Sequence, residues 1–140
     1  PGHRSSRHTL EAAGGVVLRS APQYENTYRL PASGQKFDVQ QVHQVIQDIL
    51  ESRLKDVTYD RDSSAMLGKE LVDEIHRGVK MFQWSRYKFV CQVIVGQRLG
   101  QEIRVVSRCV WDTSLDNFTC VQYSNKSLFV VAHCFGIYFE

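Results

Sequence analysis

The chain has 140 residues, of which 43% are hydrophobic and 23% charged, the composition of an ordinary globular domain. A chain of this length buries about two thirds of its unfolded surface, so it can form a core without disulfides or metals. Its apolar runs are too short to span a bilayer, and no secretory signal pattern opens it, so membrane insertion is not expected.

The net charge of +2 lies entirely in the first 20 residues, which contain three basic residues, Arg4, Arg7 and Arg19, and one acidic residue, Glu11. The remainder of the chain is electrically balanced. Electrostatic binding of nucleic acid needs a concentrated basic face, so no nucleic-acid partner is predicted. Because the first residue is Pro1 rather than Met, we expect a trimmed or processed fragment.

The 36 N-terminal residues are rich in Gly, Ser, Pro and Arg, and we interpret residues 1–36 as a flexible leader. One part of it, "YENTYRLP" at residues 24–31, contains two tyrosines and a leucine and is a candidate strap that docks on the domain. The folded domain is expected to cover residues 37–140.

The stretch "FDVQQVHQVIQDILESRLKD", residues 37–56, predicts the first amphipathic helix, with Asp38 placed near its start to favour the helix dipole. Its apolar residues recur at steps of three and four: Phe37, Val42, Val45, Ile46, Ile49, Leu50 and Leu54.

A second helix is predicted to begin near "DRDSSAMLGKE", capped by Asp62 or Ser63 and weakened or ended at Gly78. Its Glu70 and Glu74 lie four residues apart and are expected to repel each other. Met66 and Met81 are interpreted as core filler. The apolar stripe of this helix is Leu67, Leu71, Val72, Ile75 and Val79.

From residue 86 the apolar period changes to two, which predicts four strands over residues 86–96, 101–112, 117–124 and 127–140. The short connections between them fit antiparallel hairpins. Two helices followed by four strands predict an α+β fold, with two N-terminal helices packed on a four-stranded antiparallel sheet.

The last strand is apolar on both faces, with Val130, Ala132 and Cys134 on one side. The other side carries Phe129, Val131, Phe135 and Ile137. We therefore predict that this strand is central and covered twice. The two helices cover one face, which leaves the leader or a second molecule for the other.

The sequence indicates no enzyme: no catalytic, cofactor-binding or metal site is predicted. Neighbours on a strand point to opposite faces, so His133 and Cys134 cannot form a dyad, and His133 is interpreted as a core or interface residue. His43 and His76 lack metal-ligand spacing, and "GQRLGQE" lacks the lysine of a phosphate loop. The four cysteines contain no C-x-x-C pair and are predicted to be free thiols.

Two other functions stay open at this stage. A hot-dog-like dimeric thioesterase would need a carboxylate at the start of a helix wrapped by the sheet, where only Asp38 qualifies. An RNA-binding sheet would need exposed aromatic residues for stacking, for which Tyr87, Phe89, Phe118 and Tyr123 are the candidates.

The C-terminal sequence "SRCVWDTSLDNFTCVQYSNKSLFVVAHCFGIYFE" resembles the Tctex-type dynein light chains. The "YKFVCQVIVGQ" stretch is similar to that family's first strand, and "ENTYRLP" resembles its longer-tailed, Tctex-2-like branch, found with ciliary and axonemal dyneins. The match covers about residues 37–140. Its pattern residues are Cys109, Trp111, Asp112, Asn125, Lys126, Ala132, Phe135 and Gly136.

This resemblance implies a non-enzymatic adaptor that forms a homodimer or a heterodimer with another Tctex-type light chain and binds the dynein intermediate chain by strand addition. It implies a cytoplasmic, cytoskeletal location, with the cilium or axoneme as a further candidate. The second strand, Gln101–Trp111, would be exchanged between protomers. The implied dimer interface is Ile103, Val105, Ser107, Cys109, Trp111 and Phe135.

For the partner peptide we expect a groove along the second strand, where Arg104 and Arg108 share one face. The two arginines either orient an acidic peptide or only protect a strand edge from aggregation. Pockets for alternate peptide side chains are expected from Val106, Val110, Phe118 and Tyr123.

Overall fold

Two helices lie against one face of an antiparallel sheet in the computed structural model, which describes residues 25–26, 28–100 and 112–139. The strand order is β1-β3-β2, and α2 packs on β1 while α1 packs on β2. The predicted α+β arrangement is confirmed for this part, whereas the predicted strand at Gln101–Trp111 lies outside the described residues. The elements are α1 (Val39–Leu54), α2 (Ser64–Lys80), β1 (Tyr87–Gln97), β2 (Asn117–Ser124) and β3 (Leu128–Tyr138).

The first helix begins one residue after Asp38, whose carboxylate accepts hydrogen bonds from the backbone N–H groups of Gln40 and Gln41 at 2.9 and 3.1 Å. Asp38 is therefore the N-cap that satisfies amides left unpaired by the helix start. The apolar stripe predicted from the sequence faces the core, because its members Val42, Ile46, Leu50 and Leu54 are fully buried.

The second helix differs from its prediction at both ends. Ser63 is the N-cap residue but its side chain makes no capping bond, and its backbone N–H donates to the Asp60 carboxylate at 2.8 Å. Hydrogen bonding from Ser63 holds the pKa of Asp60 below its usual value. Gly78 does not end the helix, which continues to Lys80: a Cβ there would lie 3.0 Å from Val45 Cγ1, so Gly78 is where α1 approaches closely.

The prediction for the two methionines, Met66 on α2 and Met81 just after it, is wrong. Met66 and Met81 are exposed, at 67% and 80%, rather than core filler, because they lie off the buried stripe of Leu71, Ile75 and Val79.

The expected repulsion between Glu70 and Glu74 is offset by Arg53 of α1, which lies 2.9 Å from the first carboxylate and 3.4 Å from the second. The pairs are largely exposed and so contribute little to stability.

The predicted central position of the last strand is confirmed. β3 pairs with β1 from Tyr87–Tyr138 to Gln97–Leu128 and with β2 from Asn117–Gly136 to Ser124–Phe129. Most of its side chains are buried, including neighbours that point to opposite faces.

The helix-facing side of the sheet carries the alternating residues that the sequence predicted for β1, including Phe89, Cys91 and Val93. An aromatic group closes one end of this core, where Phe37 lies 5.6 Å from Trp84 between ring centroids. The Phe37 ring rests directly on Gly136, so that a Cβ at Gly136 would meet its Cδ2 at 2.1 Å. This contact gives a physical reason for glycine in the "CFGIY" segment.

Asn125, in the turn between β2 and β3, ties the hairpin to the end of α1. Its Nδ2 donates to the carbonyls of Leu54 and Val57 at 3.1 and 2.8 Å. Its Oδ1 accepts from the backbone N–H groups of Ser127 and Leu128 at 2.8 and 2.9 Å. One side chain thereby fixes both the turn and the position of the helix over the sheet.

Replacing Asn125 with alanine is expected to lower the free energy of unfolding by about 2–3 kcal/mol, because partly buried backbone groups lose their partner. Urea unfolding followed by circular dichroism measures the change. Lys126→Ala in the same turn, where the side chain is exposed, is the matched control and should change stability by less than about 0.5 kcal/mol. Equal effects of the two substitutions would contradict the role given to Asn125.

Gly136→Ala is expected to destabilise the fold by about 1–3 kcal/mol, because the new methyl group displaces the Phe37 ring. Gly68→Ala is the matched control. A Cβ at Gly68 meets Val95 Cγ2 at 3.6 Å, an ordinary contact, and alanine favours the helix. Thermal unfolding of both variants should therefore show opposite shifts, and a neutral Gly136→Ala would show that Phe37 moves aside without cost.

Candidate protein interaction surface

The side of the sheet that faces away from the helices, called here the distal face, is crossed by rows of register partners. One row is apolar throughout and consists of Val90, Phe135 and Phe118. The next row consists of Gln92, His133 and Cys120, and the one after it of Ile94, Val131 and Gln122. A sheet face exposed only to water would carry mainly polar residues, so this pattern indicates a surface that contacts protein.

Burial on the distal face falls from its centre to its flanks. Val131, His133 and Phe135 on β3 are buried, whereas Val90, Phe118 and Ile137 are 52%, 42% and 37% exposed. The rings of Phe118 and Phe135 stack with centroids 5.7 Å apart. Exposed apolar side chains that continue a buried aromatic centre are typical of an interaction site.

His133 lies in the middle of this face and is 3% exposed. Its ring stacks on Phe135 with centroids 6.1 Å apart, and its Nδ1 makes no hydrogen bond. The prediction of a core or interface histidine is therefore confirmed as regards burial. Its neighbour Cys120 has a pKa raised by burial, which favours the neutral thiol at that position.

The outer strands of the described sheet are β1 and β2, and the ladder determines which backbone groups point outward. Backbone hydrogen bonds at the two ends of the β1–β3 ladder run from Arg98 N to Ser127 O and from Phe139 N to Arg86 O, both at 2.9 Å. They show which residues of β1 are hydrogen-bonded to β3 and which lie between the hydrogen-bonded pairs. Every second residue of β1, including Cys91 and Val93, therefore directs its N–H and C=O away from β3. Such rows of backbone groups are the template for adding a strand.

A shallow cleft of about 480 Å³ lies where α2 meets the outer edge of β1. Val93 and Val95 line it from the strand, and Val72 lines it from the helix. A smaller cleft of about 170 Å³ lies beside β2, between α1 and Tyr123. Each outer strand thus has an adjoining depression that can receive side chains of an added strand.

The structure brings together some of the residues predicted from the sequence and separates others. Phe135 of the implied dimer interface and Phe118 of the implied peptide groove are neighbours in one row of the distal face. Tyr123, by contrast, pairs with Val130 and packs against the helix-side core, so it cannot share a distal groove with Phe118. The two residues are five positions apart, and an odd spacing on one strand places side chains on opposite faces.

The other predicted site residues lie outside the described residues. These are Ile103, Val105, Ser107, Cys109 and Trp111 of the implied interface and Arg104, Val106, Arg108 and Val110 of the implied groove.

Two contributors to the distal face were missed as site residues, namely Val90 and Ile137. Both residues could have been predicted from the sequence. They alternate with core residues along their strands, and they are apolar where a face exposed to water would carry polar residues.

The alternative functions conflict with the geometry. Tyr87 is buried and Phe89 packs on the helix side, so these aromatic residues form no exposed surface for RNA stacking. Asp38 is engaged as the helix cap, and two helices lie on one face of the sheet, unlike a single helix wrapped by strands. Neither described helix has the length and apolar sequence needed to cross a membrane.

The candidate strap contacts the domain through its backbone. The Glu25 carbonyl accepts a hydrogen bond from the Arg86 guanidinium, and the Arg29 carbonyl accepts one from the Tyr138 hydroxyl at 2.8 Å. The side chains of Tyr28 and Leu30 are instead 79% and 76% exposed. Apolar packing is therefore not what holds the described part of the strap.

The fold is a two-helix α+β domain with an apolar distal face, and comparison with known proteins identifies its family. Residues 36–137 match the model of the Tctex-1 family. The chain therefore belongs to the Tctex-1 family. This family consists of dynein light chains without enzymatic activity, in agreement with the resemblance found in the sequence.

Individual relatives support the assignment. The human dynein light chain Tctex-type 4 is 36% identical over 127 residues, which is 90% of this chain and 58% of that protein. The zebrafish (Danio rerio) dynein light chain Tctex-type protein 2B is 36% identical over 115 residues, or 81% and 77% of the two chains. The human Tctex-type protein 2 is 35% identical over 117 residues, or 84% and 59%. The chain thus spans less than two thirds of the two human relatives.

Proposed function

We propose that this chain acts as a dynein light chain that pairs with a second Tctex-type light chain through its distal face and binds the dynein intermediate chain by strand addition. The observation that carries this proposal is the apolar row of Val90, Phe135 and Phe118 on the sheet face away from the helices. The family assignment supplies the class of partner.

A second light chain is favoured as the occupant of the distal face by the chemistry of that face. Its centre is aromatic and its exposed flanks are apolar, as in the cores of dimer interfaces. Charged groups lie at the rim, where Lys88 is exposed and its ammonium lies 5.0 Å from the Phe139 ring. A homodimer and a heterodimer with another Tctex-type chain both fit this surface.

Strand exchange through Gln101–Trp111 fits the positions of the flanking strands. β1 ends opposite Leu128 and β2 begins opposite Gly136, so the chain leaves one end of β3 and re-enters at the other. The two ends of the connection therefore lie at opposite ends of the sheet, a separation that an exchanged strand would span. The implied interface residues of this segment are those given by the sequence, together with Phe135.

An added peptide strand would pair with backbone groups at a sheet edge, and its side chains would enter the adjoining cleft. Arg104 and Arg108 are proposed to orient an acidic segment of the intermediate chain. By this proposal the protein works in a dynein complex on the cytoskeleton, in the cytoplasm or in a cilium.

Phe118→Glu is expected to weaken dimerisation at least about tenfold, because it places a charge in the apolar row. Light scattering behind size exclusion across a dilution series measures it, with the protomer at 16.1 kDa. Met66→Glu, an equally drastic change at a 67% exposed position on α2, is the matched control and should leave the mass unchanged. If wild type is monomeric alone, the same comparison is made with an added Tctex-type partner.

A Phe118→Glu variant that dimerises like wild type would remove the distal face from the interface. Trp111→Ala tests strand exchange independently of the distal face. Loss of the dimer with unchanged helix content would support exchange through Gln101–Trp111. A dimer that persists at low micromolar concentration would contradict it.

The double variant Arg104→Glu with Arg108→Glu is expected to weaken an acidic intermediate-chain peptide by more than about tenfold while the dimer persists. Fluorescence anisotropy with a labelled peptide measures the dissociation constant, and light scattering checks the mass. Arg104→Gln with Arg108→Gln is the intermediate control, which removes charge without reversing it. Unchanged affinity in both doubles would place the peptide away from these arginines.

A further inference from the structure

Two thiols face each other across the sheet, beneath the helices. Cys91 of β1 and Cys134 of β3 are direct register partners, and their Sγ atoms are 3.6 Å apart. Both are free thiols in this structure. Forty-three positions separate them along the chain, so only the sheet register brings them together.

The ladder places this pair at a non-hydrogen-bonded position. Its terminal bonds join Arg98 to Ser127 and Arg86 to Phe139. Hydrogen-bonded pairs recur at every second residue from either end, which puts the Cys91–Cys134 pair between two of them. At such positions opposed Cα atoms are about 4.5 Å apart, within the range of about 4.4–6.8 Å that a disulfide bridges.

The two thiols differ in accessibility and in acidity. Cys91 is partly exposed, whereas Cys134 is fully buried. Contact with the Cys134 thiol stabilises the Cys91 thiolate and lowers the Cys91 pKa. The same contact together with burial raises the pKa of Cys134. Because the thiolate is the nucleophile in disulfide exchange, Cys91 should react first.

We infer that Cys91 and Cys134 form a redox site that closes to an intramolecular disulfide by exchange with a low-molecular-weight disulfide such as oxidised glutathione. This site lies on the helix side of the sheet, separate from the distal face, and its chemistry needs no partner chain.

The reaction balances in two steps. The Cys91 thiolate attacks one sulfur of the small disulfide, forming a mixed disulfide and releasing one small thiolate. Cys134, on losing its proton, attacks Cys91 Sγ, and the second small thiolate leaves as the new S–S bond forms. The two protein thiols give up two electrons and two protons, and the small disulfide is reduced to two thiols.

The disulfide would join β1 covalently to the central strand β3 at the position where the two cysteines are register partners. The backbone groups of Cys91 point to the outer edge of β1, so the cross-link would fix that edge. It would also close a long loop, which stabilises a fold mainly by constraining the unfolded chain. We expect the midpoint of thermal unfolding to rise by at least about 5 °C on oxidation.

The test uses the full chain carrying Cys109→Ser and Cys120→Ser, so that two thiols remain. After incubation in oxidised glutathione, intact mass spectrometry should show the loss of two hydrogens, and alkylation should label neither cysteine. Peptide mapping of wild type should assign the bond to Cys91 and Cys134. Circular dichroism confirms that each variant is folded. Two alkylated thiols in the folded protein, or a wild-type bond to Cys109 or Cys120, would overturn the inference.

Single variants test the order of attack. With Cys134→Ala, one glutathione should remain trapped on Cys91; with Cys91→Ser, Cys134 should stay unmodified. Where Cys134→Ala fails to fold, the wild-type time course gives the same information, because the mixed disulfide on Cys91 should precede the internal bond. A stable adduct on Cys134 in the Cys91→Ser variant would contradict the order.

Discussion

The structure depends on the double burial of its central strand. β3 pairs its backbone on one side with β1 and on the other with β2, and its side chains are buried from Val130 to Gly136 without interruption. Apolar residues on both faces of a strand stabilise the fold only when both faces are covered, so the other elements are arranged around it. The helices close one side, Phe37 fills the space over Gly136, and Asn125 joins the strand's turn to the end of α1.

The two faces of the sheet differ in a way that bears on function. The helix face is closed by the alternating residues of all three strands together with the buried stripes of both helices. The distal face has a buried aromatic centre but leaves Val90 and Phe118 substantially exposed at its flanks. Membership of a light-chain family without enzymatic activity agrees with a domain whose notable chemistry is apolar surface and strand edges. The thiol pair of Cys91 and Cys134 adds a reactive feature on the opposite side.

The successes and failures of prediction have separate physical causes. The helices, the three described strands, the position of Asp38 at the start of α1 and the central place of β3 followed from periodicity and local electrostatics, which act over a few residues. Met66 and Met81 were misplaced because a methionine is apolar without being confined to the buried stripe. The sequence predicts that Gly78 weakens or ends α2, whereas the structure places it where Val45 of α1 approaches closely. Phe118 and Tyr123 were predicted to share one groove because both are aromatic. They are five positions apart on β2, and this odd spacing places their side chains on opposite faces.

The sequence by itself determined the order of the described elements, their α+β class, the alternation of faces along the described strands and the family resemblance, because periodicity and short motifs are local properties of the chain. Only the tertiary structure decided which distant residues meet. The strand register placed Cys91 against Cys134 and formed the row of Val90, Phe135 and Phe118, and helix packing brought Arg53 between two glutamates. These contacts join residues far apart in the chain, and their partners are selected by burial of the whole core rather than by local sequence.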